Sequence, residues 1–118
     1  MIKGIGVDLV ETKRFTSVKD KEEFLRQILS NKEILNTPKG FKKDYFYAEI
    51  FAIKEAILKA LAYGFCCGSG WHKIAITKKA EARLSGIIKR FAQEKLVSKI
   101  HITKACSKKY TMAFILIE

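Results

Sequence analysis

Proline is nearly absent from this 118-residue chain, occurring once, at Pro38. Few forced breaks leave room for long uninterrupted elements, and Pro38 with Gly40 marks the clearest interruption. Cysteine is scarce as well. Cys66, Cys67 and Cys106 make an odd count, two are adjacent, and no C-x-x-C occurs. That argues against a disulfide framework or a structural zinc site and points to reduced thiols. Acids are outnumbered, 12 Asp and Glu against 23 Lys and Arg, giving a net charge of +11. No apolar run reaches the ~18 residues of a membrane span. The stretch 51–65 comes nearest, and Lys54, Glu55 and Lys59 interrupt it. No G-x-x-x-x-G-K-[ST] phosphate loop is present, and with only His72 and His101 and no nucleophile elbow a Ser-His-Asp centre is not expected.

What the chain does contain suits one folded domain over residues 1–118. It is 48% hydrophobic and 30% charged, enough for a core and against global disorder. A monomer of this size leaves much apolar surface uncovered, which favours association. The positive surface favours an anionic partner: nucleic acid, a phosphorylated cofactor, an anionic membrane or an acidic protein. The opening residues fit a strand rather than the apolar run of an export leader, so the cytoplasm is the expected location.

Along the chain, residues 2–10 alternate. Ile5, Val7 and Leu9 face one way; Gly4, Gly6, Asp8 and Val10 face the other. Asp8 therefore shares its face with two glycines, expected to leave open space beside it. Gly4-x-Gly6 is not a dinucleotide fingerprint, because the third glycine position holds Leu9 and the glycines lie inside the strand. An amphipathic helix is expected over 20–30, with Asp20 and Glu23 as a capping box. A long helix is expected over 41–62, ended by Gly64 and apolar almost all round in its second half, hence central. A strand over 71–77, a helix near 85–97, a strand at Ile100 and Ile102, a turn over 104–109 and a strand over 110–117 complete the pattern. The last run is apolar enough to expect cover on both faces. The order β-α-α-β-α-β-β indicates an α+β fold, a mostly antiparallel sheet packed on a long central helix.

Two carboxylates stand where aliphatic residues would be expected: Asp8 in the first strand and Glu55 in the central helix. A buried acid is costly unless it is paired or holds a metal, and two such acids suggest a hard-cation site. The plain alternative is pairing: Glu55 precedes Lys59 by four residues, a helix pair worth ~0.2–0.5 kcal/mol. Lys54, Glu55 and Lys59 are the only charges in their apolar stretch, however. An acid holding a divalent ion between two ammonium groups suits a diphosphate.

These residues carry a resemblance. The opening Met-Ile-Lys-Gly-Ile-Gly-Val-Asp-Leu-Val-Glu-Thr-Lys-Arg-Phe and the helix segment Phe51-Ala-Ile-Lys-Glu-Ala-Ile-Leu-Lys-Ala60 resemble the two signatures of the holo-[acyl-carrier-protein] synthases. The likeness runs nearly end to end. It implies a small α+β 4′-phosphopantetheinyl transferase of fatty acid biosynthesis. Such an enzyme moves the phosphopantetheine arm of coenzyme A onto a serine of an acidic apo-acyl carrier protein and releases adenosine 3′,5′-bisphosphate. It further implies Mg²⁺ dependence and a homotrimer with active sites between subunits. By motif match, Asp8 and Glu55 are the implied metal ligands and, with Lys59, the catalytic residues. Lys54 and Lys59 match lysines near the coenzyme phosphates, and Arg14 a contact to the carrier protein. Cys106 stands where the family often has histidine, with Lys104 the candidate substitute cation; Glu49-Ile50 replace a frequent Gly-Arg. Two other readings remain beside this one: a basic nucleic-acid-binding module, suggested by charge alone and lacking an RNA-binding aromatic pair or a basic recognition helix, and a non-catalytic binder of coenzyme A or carrier protein, suggested by Cys106.

Overall fold

The computed structural model describes residues 1–16, 21–62 and 70–118. Asp20, Gly64, Cys66 and Cys67, read from the sequence as a cap, a helix stop and reduced thiols, lie outside them. The architecture is α+β. Strand β1 (Gly4–Glu11) runs into a 3-10 turn (Thr12–Phe15). Helices α1 (Lys21–Ile28), α2 (Asn31–Leu35) and α3 (Lys42–Ala60) follow. A second 3-10 turn (Trp71–Lys73) leads to β2 (Ile74–Ile76), β3 (Ala82–Leu84), α4 (Gly86–Glu94), β4 (Ile100–Cys106) and β5 (Tyr110–Ile117). Strands β1, β5 and β4 form an antiparallel sheet in that order, with Asp8 opposite Ala113; β2 and β3 form a separate antiparallel pair.

The 19-residue α3 lies across the sheet. Ile53, Ile57, Ile115 and Ile117 are fully buried where helix and sheet meet. Ala52, Ala56 and Ala60 recur every fourth residue and make a thin helix edge, so the backbone of β1 comes very close. A Cβ on Gly6 would sit 1.9 Å from the Ala56 carbonyl oxygen, and one on Gly4 2.0 Å from that of Ala60. The glycines therefore do not open space beside Asp8, as the alternation suggested; helix backbone fills it.

Other departures from the sequence pattern have local causes. The helix expected over 20–30 is present as α1 and stops at Ile28, and Ser30 caps the additional short α2: its hydroxyl accepts from the Glu33 amide while Glu33 Oε1 accepts from the Ser30 amide at 2.8 Å. This is a capping box. Residues 71–73 are a 3-10 turn rather than strand. Helix α3 gives way at Leu61 to Ala62, which has φ of 54° and so takes the left-handed position glycine usually fills. Strand β4 extends to Cys106, shortening the expected 104–109 turn. Strand β5 is covered on one face only: its pattern alternates, with Thr111, Ala113, Ile115 and Ile117 buried and Met112 and Phe114 turned outward. That outer face continues across β1 through Ile5, Val7 and Leu9, which are also exposed. No helix among the described residues is long and apolar enough to cross a membrane.

Candidate active site at the β1–α3 seam

The glycine contacts fix the register of β1 on α3: Gly4 meets Ala60 and Gly6 meets Ala56. Continuing it two residues along the strand brings Asp8 level with the turn that carries Ala52 and Glu55. Lys59, one turn beyond Glu55, reaches back. Its Nζ lies 2.8 Å from Asp8 Oδ1 and also donates to the Val7 carbonyl at 3.1 Å. The Asp8 side chain is 13% exposed and that of Lys59 41%. The other Asp8 oxygen, Oδ2, is buried and has no hydrogen-bond partner among the described residues. An orphaned carboxylate oxygen costs about 1–3 kcal/mol in a folded chain, so it asks for a ligand.

Glu55 is half-buried, and its Oε1 accepts a 2.6 Å hydrogen bond from the indole Nε1–H of Trp71. The Trp71 ring packs on Phe51 at 5.9 Å between centroids, and Phe51 in turn meets Phe15 and Phe24. On the outer side the Arg14 guanidinium lies 5.3 Å from the centre of the Phe51 ring. Lys59 thus meets Asp8 at the seam, and Trp71 and Phe51 link Glu55 to Arg14.

Lys54 is elsewhere. The matched motif put it near phosphates, but its side chain is 0% exposed and its Nζ faces inward. Three acceptors surround it: Ile28 O at 2.5 Å, Glu33 Oε1 at 2.6 Å and Trp71 O at 3.2 Å. An ammonium has three protons, so nothing remains to offer a substrate. The position next to Glu55 in sequence is on another side of the helix, because successive residues are rotated by about 100°. Burial pushes the Lys54 ammonium below its ordinary 10.5, against the hydrogen bond and charge of Glu33, which pull it up. Glu33, itself 1% exposed, also accepts from the Ile76 amide at 2.6 Å. Sequence reading missed Glu33, although Ser30-x-x-Glu33 shows the capping-box spacing. It also missed the link from Trp71 to Glu55, which no local pattern encodes.

Lys104 pairs with Glu49 across a groove of about 300 Å³ whose walls include Glu33, Ile50, Thr77 and Lys78. Cys106, on the same strand, is a free exposed thiol. His101 bonds Glu118 at 2.9 Å, and this contact holds the Glu118 carboxyl below its ordinary 4.5. Among the described residues no three His, Cys, Asp or Glu side chains cluster as a metal site. A cation held by two carboxylates such as Asp8 and Glu55 would need its remaining positions filled by water and substrate oxygens, which is how Mg²⁺ is commonly bound.

The order of these elements, with Asp8 and Lys59 paired at a glycine-tight strand–helix seam, makes a small α+β transferase fold. The chain belongs to the 4′-phosphopantetheinyl transferase superfamily, whose family model matches residues 4–115. It is 31% identical to the holo-[acyl-carrier-protein] synthase of Vibrio cholerae, over 100% of this chain and 98% of that protein. Its fold superimposes on the holo-[acyl-carrier-protein] synthase of Neisseria meningitidis with a TM-score of 0.86 at 27% identity, covering 100% of this chain and 99% of that one. The Helicobacter pylori holo-[acyl-carrier-protein] synthase in complex with coenzyme A is similar too, with a TM-score of 0.72 at 26% identity over 97% of this chain and 99% of that one.

Proposed function

We propose that this enzyme transfers 4′-phosphopantetheine from coenzyme A to a serine of an apo-acyl carrier protein, in the cytoplasm, in support of fatty acid synthesis. The observation that carries the reading is the buried Asp8 Oδ2, without a partner among the described residues, beside Lys59 in a chain from this superfamily. Asp8 and Glu55 would hold Mg²⁺, which when bound supplies charge neutralisation and Lewis acidity at a diphosphate. Lys59 is the cation for the phosphate oxygens, being half in solvent and anchored at one edge by Asp8. Lys54 has no part in that contact.

In the transfer, the carrier serine oxygen bonds to the pantetheine-side phosphorus. The bridging P–O bond breaks, and adenosine 3′,5′-bisphosphate leaves with the electron pair. The serine proton passes to solvent or a carboxylate. The nucleophile arrives with the carrier protein, so the chain's own residues position and neutralise rather than attack. Arg14, exposed over Phe51 at the rim, suits an acidic carrier protein. The net charge of +11 would speed encounter with two anionic substrates. The outward apolar face of β1 and β5 would be the contact of a homotrimer.

Incubation with coenzyme A, Mg²⁺ and an apo-acyl carrier protein tests the reading. Mass spectrometry should show one added phosphopantetheine arm on the carrier. Binding of coenzyme A without any mass gain across several carriers would instead favour a non-catalytic binder.

A further inference from the structure

The Trp71–Glu55 contact joins an indole donor to a carboxylate. An indole N–H can only donate, so it commits Glu55 Oε1 to accepting. At 2.6 Å it ties down Oε1 and leaves Oε2 outside that bond. The donor is itself pinned twice. Its ring rests on Phe51 at 5.9 Å, and its backbone carbonyl accepts from Lys54 at 3.2 Å. Lys54 is tied in turn to Glu33 at 2.6 Å, and Glu33 to the Ile76 amide at 2.6 Å. A fully buried ion pair thus ends in one side-chain donor on one carboxylate oxygen.

We propose that Trp71 is a positioning residue for Glu55, presenting Glu55 Oε2 to the divalent cation through its indole hydrogen bond, with the Glu33–Lys54 pair as its buried anchor. The inference rests on the reading of Asp8 and Glu55 as cation ligands. Groups that hydrogen-bond a metal-ligating carboxylate or imidazole typically contribute 10- to 100-fold in metal affinity. A phenylalanine at 71 keeps the ring against Phe51 and removes only the N–H.

Mn²⁺ standing in for Mg²⁺ makes the test independent of turnover. Free Mn²⁺ is counted by electron paramagnetic resonance, with the full chain and saturating coenzyme A. Trp71→Phe should weaken Mn²⁺ affinity by at least about tenfold and raise the Mg²⁺ concentration for half-maximal activity in proportion. On a Glu55→Ala background the same substitution should cause no further loss, which a general packing defect would not reproduce. Because Trp71 is the chain's one tryptophan, Mn²⁺ should also quench wild-type emission with the same saturation curve, a measurement that needs no variant. Equal Mn²⁺ affinity in wild type and Trp71→Phe, or emission indifferent to bound Mn²⁺, would overturn the positioning role and leave the metal reading intact. Failure of the wild type to bind Mn²⁺ at all would overturn the metal reading and the positioning role with it.

Discussion

At the scale of single residues, the molecule contains two kinds of buried charge with opposite meanings. Lys54 and Glu33 satisfy one another and the nearby backbone. Removing one partner strands the other in the core, which typically costs 3–5 kcal/mol. Lys54→Ala should therefore lower stability by about that amount in urea denaturation followed by circular dichroism; a loss under ~1 kcal/mol, the range of an exposed pair, would mean that the pair is not buried in solution. Asp8 is the contrary case. One of its oxygens is buried without a partner among the described residues, and its pairing with Lys59 is partly exposed. Asp8→Ala should leave the melting temperature unchanged or slightly higher while reducing carrier modification by more than ~100-fold, the loss expected when a charge-stabilising group leaves a transfer site. Glu55→Ala should match it in activity. Full activity in either variant would remove that residue from the site.

At the scale of elements, the seam depends on glycine for proximity. Gly6 is extended backbone, and its role is space: a Cβ there would meet Ala56 O at 1.9 Å and Ala60 N at 2.7 Å, both backbone atoms that cannot rotate aside. Gly6→Ala must push β1 off α3. It should cost about 1–3 kcal/mol, the usual range for overpacking, and reduce activity beyond what that loss explains, because Asp8 moves with the strand while Glu55 stays with the helix. Parallel thermal melts and turnover assays separate the two effects. A variant with native stability and activity would mean that the seam is looser than it looks. The boundaries of α3 were legible in the sequence because its apolar pattern is long. The 3-10 turn at Trp71 and the short β3 were not, since three-residue elements carry no periodicity and are imposed by what packs on them.

At the scale of the whole molecule, one sheet face is packed and the other is bare. Ile5, Val7, Leu9, Met112 and Phe114 all turn outward from β1 and β5. Exposed apolar residues in such a group mark an interaction surface, and the proposed homotrimer would cover it. Light scattering should then give three times the 13.5 kDa chain mass. Val7→Lys, from the middle of β1, should yield monomers and take most of the activity with it. A wild type that is monomeric yet fully active would refute both the trimer and the placing of sites between subunits.

Sequence alone determined the alternation that puts Asp8 on the glycine face, the length of the central helix and the acid at Glu55. Each follows from local rules: period two in a strand, 3.6 in a helix, and the rarity of unpaired acids in apolar runs. The α+β class followed from the order of these patterns. Sequence could not say which of the adjacent Lys54 and Glu55 faces the seam, because that depends on how α3 is rotated about its axis. Packing of the alanine edge against Gly4 and Gly6 set that rotation, burying Lys54 on Glu33 and leaving Glu55 to Trp71. Nor could it show that β5 has a bare face, since a strand with one covered face and a strand with two can be equally apolar. Only the tertiary structure decides that, because burial is a property of what lies opposite.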